Sequence, residues 1–326
     1  MRTLPPLTDC IPAFGRHRGY PPRYGWLSKV HAALLHDPAS MRRPDAPVVL
    51  GVGKSMVPAM GFWSQAFGLA RRDGNGLVPT PRAHWLLDDA RGADPFVELD
   101  ASLWLLHWWL LSASPCLVPS WRYLFGHAAL SRYSRAELQG YLADAAENTG
   151  WKPPPASVLA ADLSCLISMY APGDQAANIE DGLANPFRTL HLLEPGLPAS
   201  PARDRRHRVT IRRGAGQCCP AVVQAYASLD FAARTTGSTP GSISLATLAS
   251  ASLGPGQLLL TGITGLRRAL HQVAAGHPGL AIVESADGEE LLSYSERPAR
   301  LAEQLLATAY PGSEPVDGHR AWTRLL

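Results

Sequence analysis

Residues 101–112 read ASLWLLHWWLLS, a run of Leu and Trp interrupted only by Ala, Ser and His. A helix that is apolar around its whole circumference has no face to turn to water, so it must lie at the centre of a core. It is also too short for a membrane: Leu103–Leu111 is broken by His107 and reaches about half of the ~20 residues that span a bilayer. The chain therefore has to supply enough apolar surface to surround this helix. It does so with 326 residues, of which 46% are hydrophobic and 17% charged, and five of its nine tryptophans fall between Trp85 and Trp121. The opening Met1-Arg2-Thr3-Leu4-Pro5-Pro6 lacks the apolar stretch of a signal peptide, so the expected location is the cytoplasm, with no membrane partner. Five scattered cysteines without a CxxC pair are expected to be reduced thiols, with the adjacent Cys218 and Cys219 buried.

Around this core helix the pattern predicts a mainly α protein with small β-hairpins. Trp26–His36 carries Leu27, Val30, Leu34 and Leu35 at helical spacing, and a second helix is expected over about Lys54–Ala70. The basic, Gly-rich turn 71–76 then leads into a short strand at Leu77–Thr80, giving the outline of an N-terminal winged helix-turn-helix. Tyr133–Ala146 and Ser157–Tyr170 read as further helices of an acidic, Trp-rich middle domain. The Pro-rich segment 195–201 reads as a linker. Beyond it, helices at Ala221–Arg234, Leu245–Leu253 and Gly265–Ala275 precede strands at 279–284 and 290–294, joined through Asp287-Gly288. This predicts a C-terminal winged-helix-like domain, and the expected division is 1–92, 93–200 and 201–326.

Charge follows the same division. Residues 1–92 carry 12 Arg/Lys against 6 Asp/Glu, residues 93–202 carry 5 against 11, and residues 203–326 carry 13 against 10. Basic ends around an acidic middle suit a protein that touches a polyanion, although solubility alone also produces such blocks. Arg16, His17, Arg18 and Arg23 alternate with Tyr20, Tyr24 and Trp26, a composition that suits nucleic acid. A surface loop with its aromatics tucked under the first helix is the competing reading. Lys29, Arg71, Arg72, Arg205, Arg206 and Arg208 complete the expected phosphate contacts. Gly51-Val52-Gly53-Lys54-Ser55 is not a nucleotide loop, because Val48 stands where its first glycine is required; no bound nucleotide is expected. Lys54 and Ser55, at the start of a helix, are candidates for holding a backbone phosphate instead.

Asp94, Glu98 and Asp100 place three carboxylates within seven residues, a candidate catalytic and metal site for Mg²⁺ or Mn²⁺. The alternative is structural: Asp94 starts a turn and Asp100 caps the core helix. His107 is either a satisfied core histidine or a catalytic one, and Glu180-Asp181 is a further weak carboxylate pair. No HExxH or GxSxG is present.

The succession FGRHRGYPPRYGWLSK, LGVGKSMV, DPFVELDASLWLLHWWLL, DLSCLISMYAP, IEDGLANPFRTLHLL, AVVQAYASLDF and LGPGQLLL, running from Phe14 to near Tyr294, resembles the SspB-like family. That resemblance implies a bacterial protein of the Ssp single-strand DNA phosphorothioation systems, which act in antiviral defence. Its implied partners are double-stranded DNA, an SspA-like cysteine desulfurase, and SspC- and SspD-like proteins. The implied activity is nicking one strand of DNA so that sulfur can be inserted. A noncatalytic DNA-binding adaptor, or an assembly protein for the sulfur-transfer enzymes, is the alternative. A homodimer would suit a short twofold DNA site.

Overall fold

The computed structural model describes residues 6–128, 130–172, 185–194 and 208–310. They gather into two compact units, one formed by Met1–Val97 with Trp109–Arg212 and the other by Glu98–Trp108 with Arg213–Leu326. The protein is mainly helical with small antiparallel sheets, as its periodicity predicts.

In the first unit, α1 (Trp26–His36) buries Leu27, Val30 and Leu34, while Leu35 stays exposed. A short α2 (Ala46–Leu50) precedes α3 (Val57–Ala66). The expected helix over Lys54–Ala70 is therefore shorter at both ends. Pro58 has no N–H to give and belongs in a first turn, so the helix starts at Val57. Gly68, at φ 71°, turns the chain out of it, and Phe67 and Leu69 are buried without being helical. β1 (Ala70–Asp73) and β2 (Gly76–Pro79) form an antiparallel hairpin with Asp73 opposite Gly76. α4 (Pro81–Leu87) follows, capped by the Thr80 hydroxyl.

In α5 (Asp100–Ser112) every residue from Ser102 to Ser112 is buried, as an all-round apolar helix requires. His107 is fully buried and shares a 2.9 Å hydrogen bond with the Leu258 carbonyl, so the core reading of this histidine holds. After α6 (Pro119–Gly126) come β3 (Arg132–Ser134), α7 (Arg135–Asn148) and α8 (Ala156–Tyr170). β4 (Leu193–Glu194) and β5 (Arg208–Ile211) complete a sheet in the order β3-β5-β4, with Tyr133 opposite Val209 and Leu193 opposite Ile211. These strands of two to four residues carry too short a period to be seen in the sequence. The expected linker at 195–201 and the pair Glu180-Asp181 lie outside the described residues.

The second unit is built on α9 (Ala221–Thr235). β6 (Gly241–Ser244), α10 (Leu245–Ser250), α11 (Pro255–Leu258) and α12 (Gly262–Gly276) follow, then β7 (Leu280–Glu284), β8 (Glu290–Tyr294) and α13 (Pro298–Ala309). The sheet order is β6-β8-β7, all antiparallel. α13 packs along α9 and buries Leu301, Leu305 and Leu306. Among the described residues no helix is long and apolar enough to cross a membrane.

Candidate nucleic-acid interface

Two successive turns shape the segment before α1. The Arg18 N–H donates to the Gly15 carbonyl and the Tyr20 N–H to the His17 carbonyl. Gly15, Arg18 and Gly19 all take positive φ, which glycine tolerates and which strains Arg18. The result alternates direction: Arg16 and Arg18 are exposed, while His17 between them is 1% exposed. The His17 ring lies stacked 6.1 Å from Trp63 and edge-on to Trp121. The Gly19 N–H donates to its Nδ1 (3.0 Å), so the proton sits on Nε2, which donates to Asp162 Oδ1 (2.9 Å). Asp162 also accepts from the Gly15 N–H (2.6 Å) and the Ser120 hydroxyl (2.7 Å). His17 is thus corrected from a DNA contact to a positioning residue, because a ring sealed among tryptophans reaches no phosphate. Helical period placed Asp162 on α8, and no sequence signal linked it to His17.

The loop is tied onward to the turn before α3. The Tyr20 carbonyl accepts from Trp63 Nε1 (2.8 Å), and the Tyr20 and Ser55 hydroxyls lie 3.0 Å apart. This brings the Arg16–Arg18 turn beside exposed Lys54 and Ser55. Lys29 is exposed too, but its Nζ donates to the Leu50 carbonyl (3.0 Å) at the end of α2. Arg23 is half-buried over the Trp26 ring at 6.0 Å. Arg71 and Arg72 project from exposed positions of β1, and Arg208 is exposed at the start of β5. Arg205 and Arg206 lie outside the described residues.

The carboxylate segment follows the structural reading. Asp94 is 6% exposed; its N–H donates to the Leu86 carbonyl and its carbonyl accepts from the Val97 N–H, closing a turn. Glu98 is exposed, and Asp100 is the exposed first residue of α5. Among the described residues, no three His, Cys, Asp or Glu side chains gather as metal ligands. The expected metal site at Asp94, Glu98 and Asp100 is corrected accordingly: the described residues hold no such gathered set, and the Asp94 backbone serves the turn. All five cysteines are free thiols; Cys219 is buried as expected but Cys218 is exposed. Cys10 and Cys116 meet across an isolated parallel bridge, and His31 Nε2 lies 3.5 Å from His84 Nδ1. Both pairs are products of the fold that spacing could not reveal.

A mainly helical chain with this succession of elements is a member of a protein family of unknown function: it belongs to DUF4007, whose pattern covers residues 14–310. Within that class it is similar to SspB. A magnesium ion-bound SspB crystal structure matches it with a TM-score of 0.89 at 36% identity, covering 99% of this chain and 95% of that one. A second SspB crystal structure matches with a TM-score of 0.87 at 37% identity, covering 98% and 95%. No curated protein matches the chain.

Proposed function

We propose that this protein binds double-stranded DNA as a component of an Ssp phosphorothioation system in the bacterial cytoplasm, acting with SspA-, SspC- and SspD-like partners. The observation that carries the reading is the segment 15–20, in which two arginines are presented to solvent by a backbone locked from beneath through buried Asp162. Arginines held this way meet phosphates with little ordering left to do on binding. The order helix, strand, three helices, hairpin over residues 221–294 supports a winged-helix reading of the second unit, and the basic hairpin β1–β2 supports one in the first. Between the catalytic and adaptor readings, the dispersal of the three carboxylates favours an adaptor that positions the sulfur-transfer enzymes.

Fluorescence anisotropy with a labelled duplex tests this. Affinity should fall steeply between ~50 and ~200 mM salt, and Arg16→Ala and Lys54→Ala should each lower the salt slope by about 1. A protein that binds no duplex at ~50 mM salt would overturn the proposal.

A further inference from the structure

Cys10 and Cys116 are far apart in the chain and face each other across an isolated parallel bridge in the first unit. The Cys116 N–H donates to the Asp9 carbonyl (2.7 Å), and the Ile11 N–H donates to the Cys116 carbonyl (2.9 Å). These two bonds bracket Cys10 and hold its backbone opposite that of Cys116. Residues paired in this way lie ~4.8 Å apart, inside the ~4.4–6.8 Å that separates the α-carbons of a disulfide. The side chains also meet, for the Cys10 thiol is within hydrogen-bond reach of the Cys116 sulfur.

The two sulfurs differ in access and in charge. Cys116 is fully buried, whereas Cys10 is half-buried, so a solute reaches Cys10 first. The Val118 N–H donates to the Cys116 sulfur (3.5 Å), and the buried Arg122 guanidinium lies beside it. Burial pushes the Cys116 thiol up, but the hydrogen bond from Cys10, the Arg122 charge and the Val118 N–H outweigh it and hold Cys116 below the ordinary thiol range. The bond to Cys116, and then burial, push Cys10 up. One proton is thus shared between two sulfurs, with a base directly behind the accessible thiol.

We propose that Cys10 and Cys116 form a reversible disulfide site that takes a small-molecule disulfide such as oxidised glutathione, with Cys10 attacking and Cys116 resolving. Cys116 takes the Cys10 proton, and Cys10 Sγ attacks one sulfur of glutathione disulfide. A Cys10–glutathione bond forms, the small disulfide breaks, and one glutathione thiolate leaves. Cys116 gives its proton to that thiolate and attacks Cys10 Sγ, expelling the second glutathione. The protein pair is oxidised by two electrons and glutathione disulfide is reduced by two. The product staples the chain entering the 15–20 loop to the segment entering α6, whose Ser120 also bonds Asp162. This assignment stands whether or not that loop binds DNA.

The test uses the full chain carrying Cys218→Ser, which removes the exposed thiol that would otherwise take up glutathione. Native protein is incubated with oxidised glutathione, quenched in acid and freed of oxidant. Its thiols are then counted by Ellman titration in denaturant, and linkages are mapped by mass spectrometry. The four thiols should fall to two, with the linkage between residues 10 and 116, and dithiothreitol should restore both. In the same background, Cys116→Ser should stop with one glutathione on Cys10. Cys10→Ser should take up none, because the remaining cysteines are buried. Four thiols surviving in the native protein, a linkage between other cysteines, or a glutathione that stays on Cys10 while Cys116 is present would each overturn the site. These outcomes are read in the Cys218→Ser chain itself and do not depend on the folding of the other two variants. Glutathione on Cys116 in Cys10→Ser would overturn the order of attack.

Discussion

Asp162 is 1% exposed, and three donors converge on its carboxylate from Gly15, His17 and Ser120. A buried carboxylate is tolerable only while its hydrogen bonds are complete, so Asp162→Asn, which weakens the acceptors and adds an amide with nothing to receive it, should cost about 2–4 kcal/mol. A urea midpoint within error of wild type would show that the network contributes nothing. His107 makes a second prediction, in pH. Burial lowers its pKa to about 4, partly offset by the Leu258 hydrogen bond, and burial also lowers His127 to about 4 and depresses His31. Between about 4 and 6.5 the unfolded chain takes up protons that the native state refuses, so stability is full above pH 6.5 and is lost on acidification toward 4. His107 should contribute on the order of 2–3 kcal/mol of that loss. Urea midpoints at pH 7 and 4.5 should differ less for His107→Gln than for wild type; equal differences would sink the assignment. His17 and His107 look alike in the sequence, as lone histidines among aromatics or aliphatics, and only tertiary contact separates their tasks.

Among the elements, α7 begins with a capping box that can be read directly from Ser134 and Glu137: the Ser134 hydroxyl accepts from the Glu137 N–H (3.1 Å) and Glu137 accepts from the Ser134 N–H (2.7 Å). Ser134→Ala should cost about 1 kcal/mol, measurable in the same denaturation experiment, with Ser134→Asp restoring most of it. Elements with strong local signals were legible in this way: α1, α7, α8, α12 and the hairpin through Asp287-Gly288 all lie within a few residues of their expected positions. The sheet β3-β5-β4 was not. Its strands are short, and each exists because a partner distant in sequence supplies hydrogen bonds to it. The end of α3 shows the intermediate case, where an apolar run reads as helix through Phe67 and Leu69 until Gly68 turns the backbone.

For the molecule as a whole, the adaptor and nickase readings separate in one assay: supercoiled plasmid with the purified protein and Mg²⁺ or Mn²⁺, and EDTA as control. On the adaptor reading, no open circles form with this protein alone. Metal-dependent open circles that survive replacement of Asp94, Glu98 and Asp100 would place a nicking site elsewhere in the chain. What the sequence determined by itself was the buried Trp-rich helix, the helical class and the basic ends, because apolar periodicity and net charge are properties of a local stretch. Its ordered motifs also carried the family resemblance. Only tertiary structure decided which charges reach solvent. His17 is withdrawn from the surface beside Asp162, exposed Lys29 gives one hydrogen bond to the Leu50 carbonyl, the Asp94 backbone closes a turn, and Arg213 and Arg268 line one cavity. The physical reason is that a side chain's burial and hydrogen-bond partners depend on residues brought from far along the chain, and spacing within a motif carries no record of them.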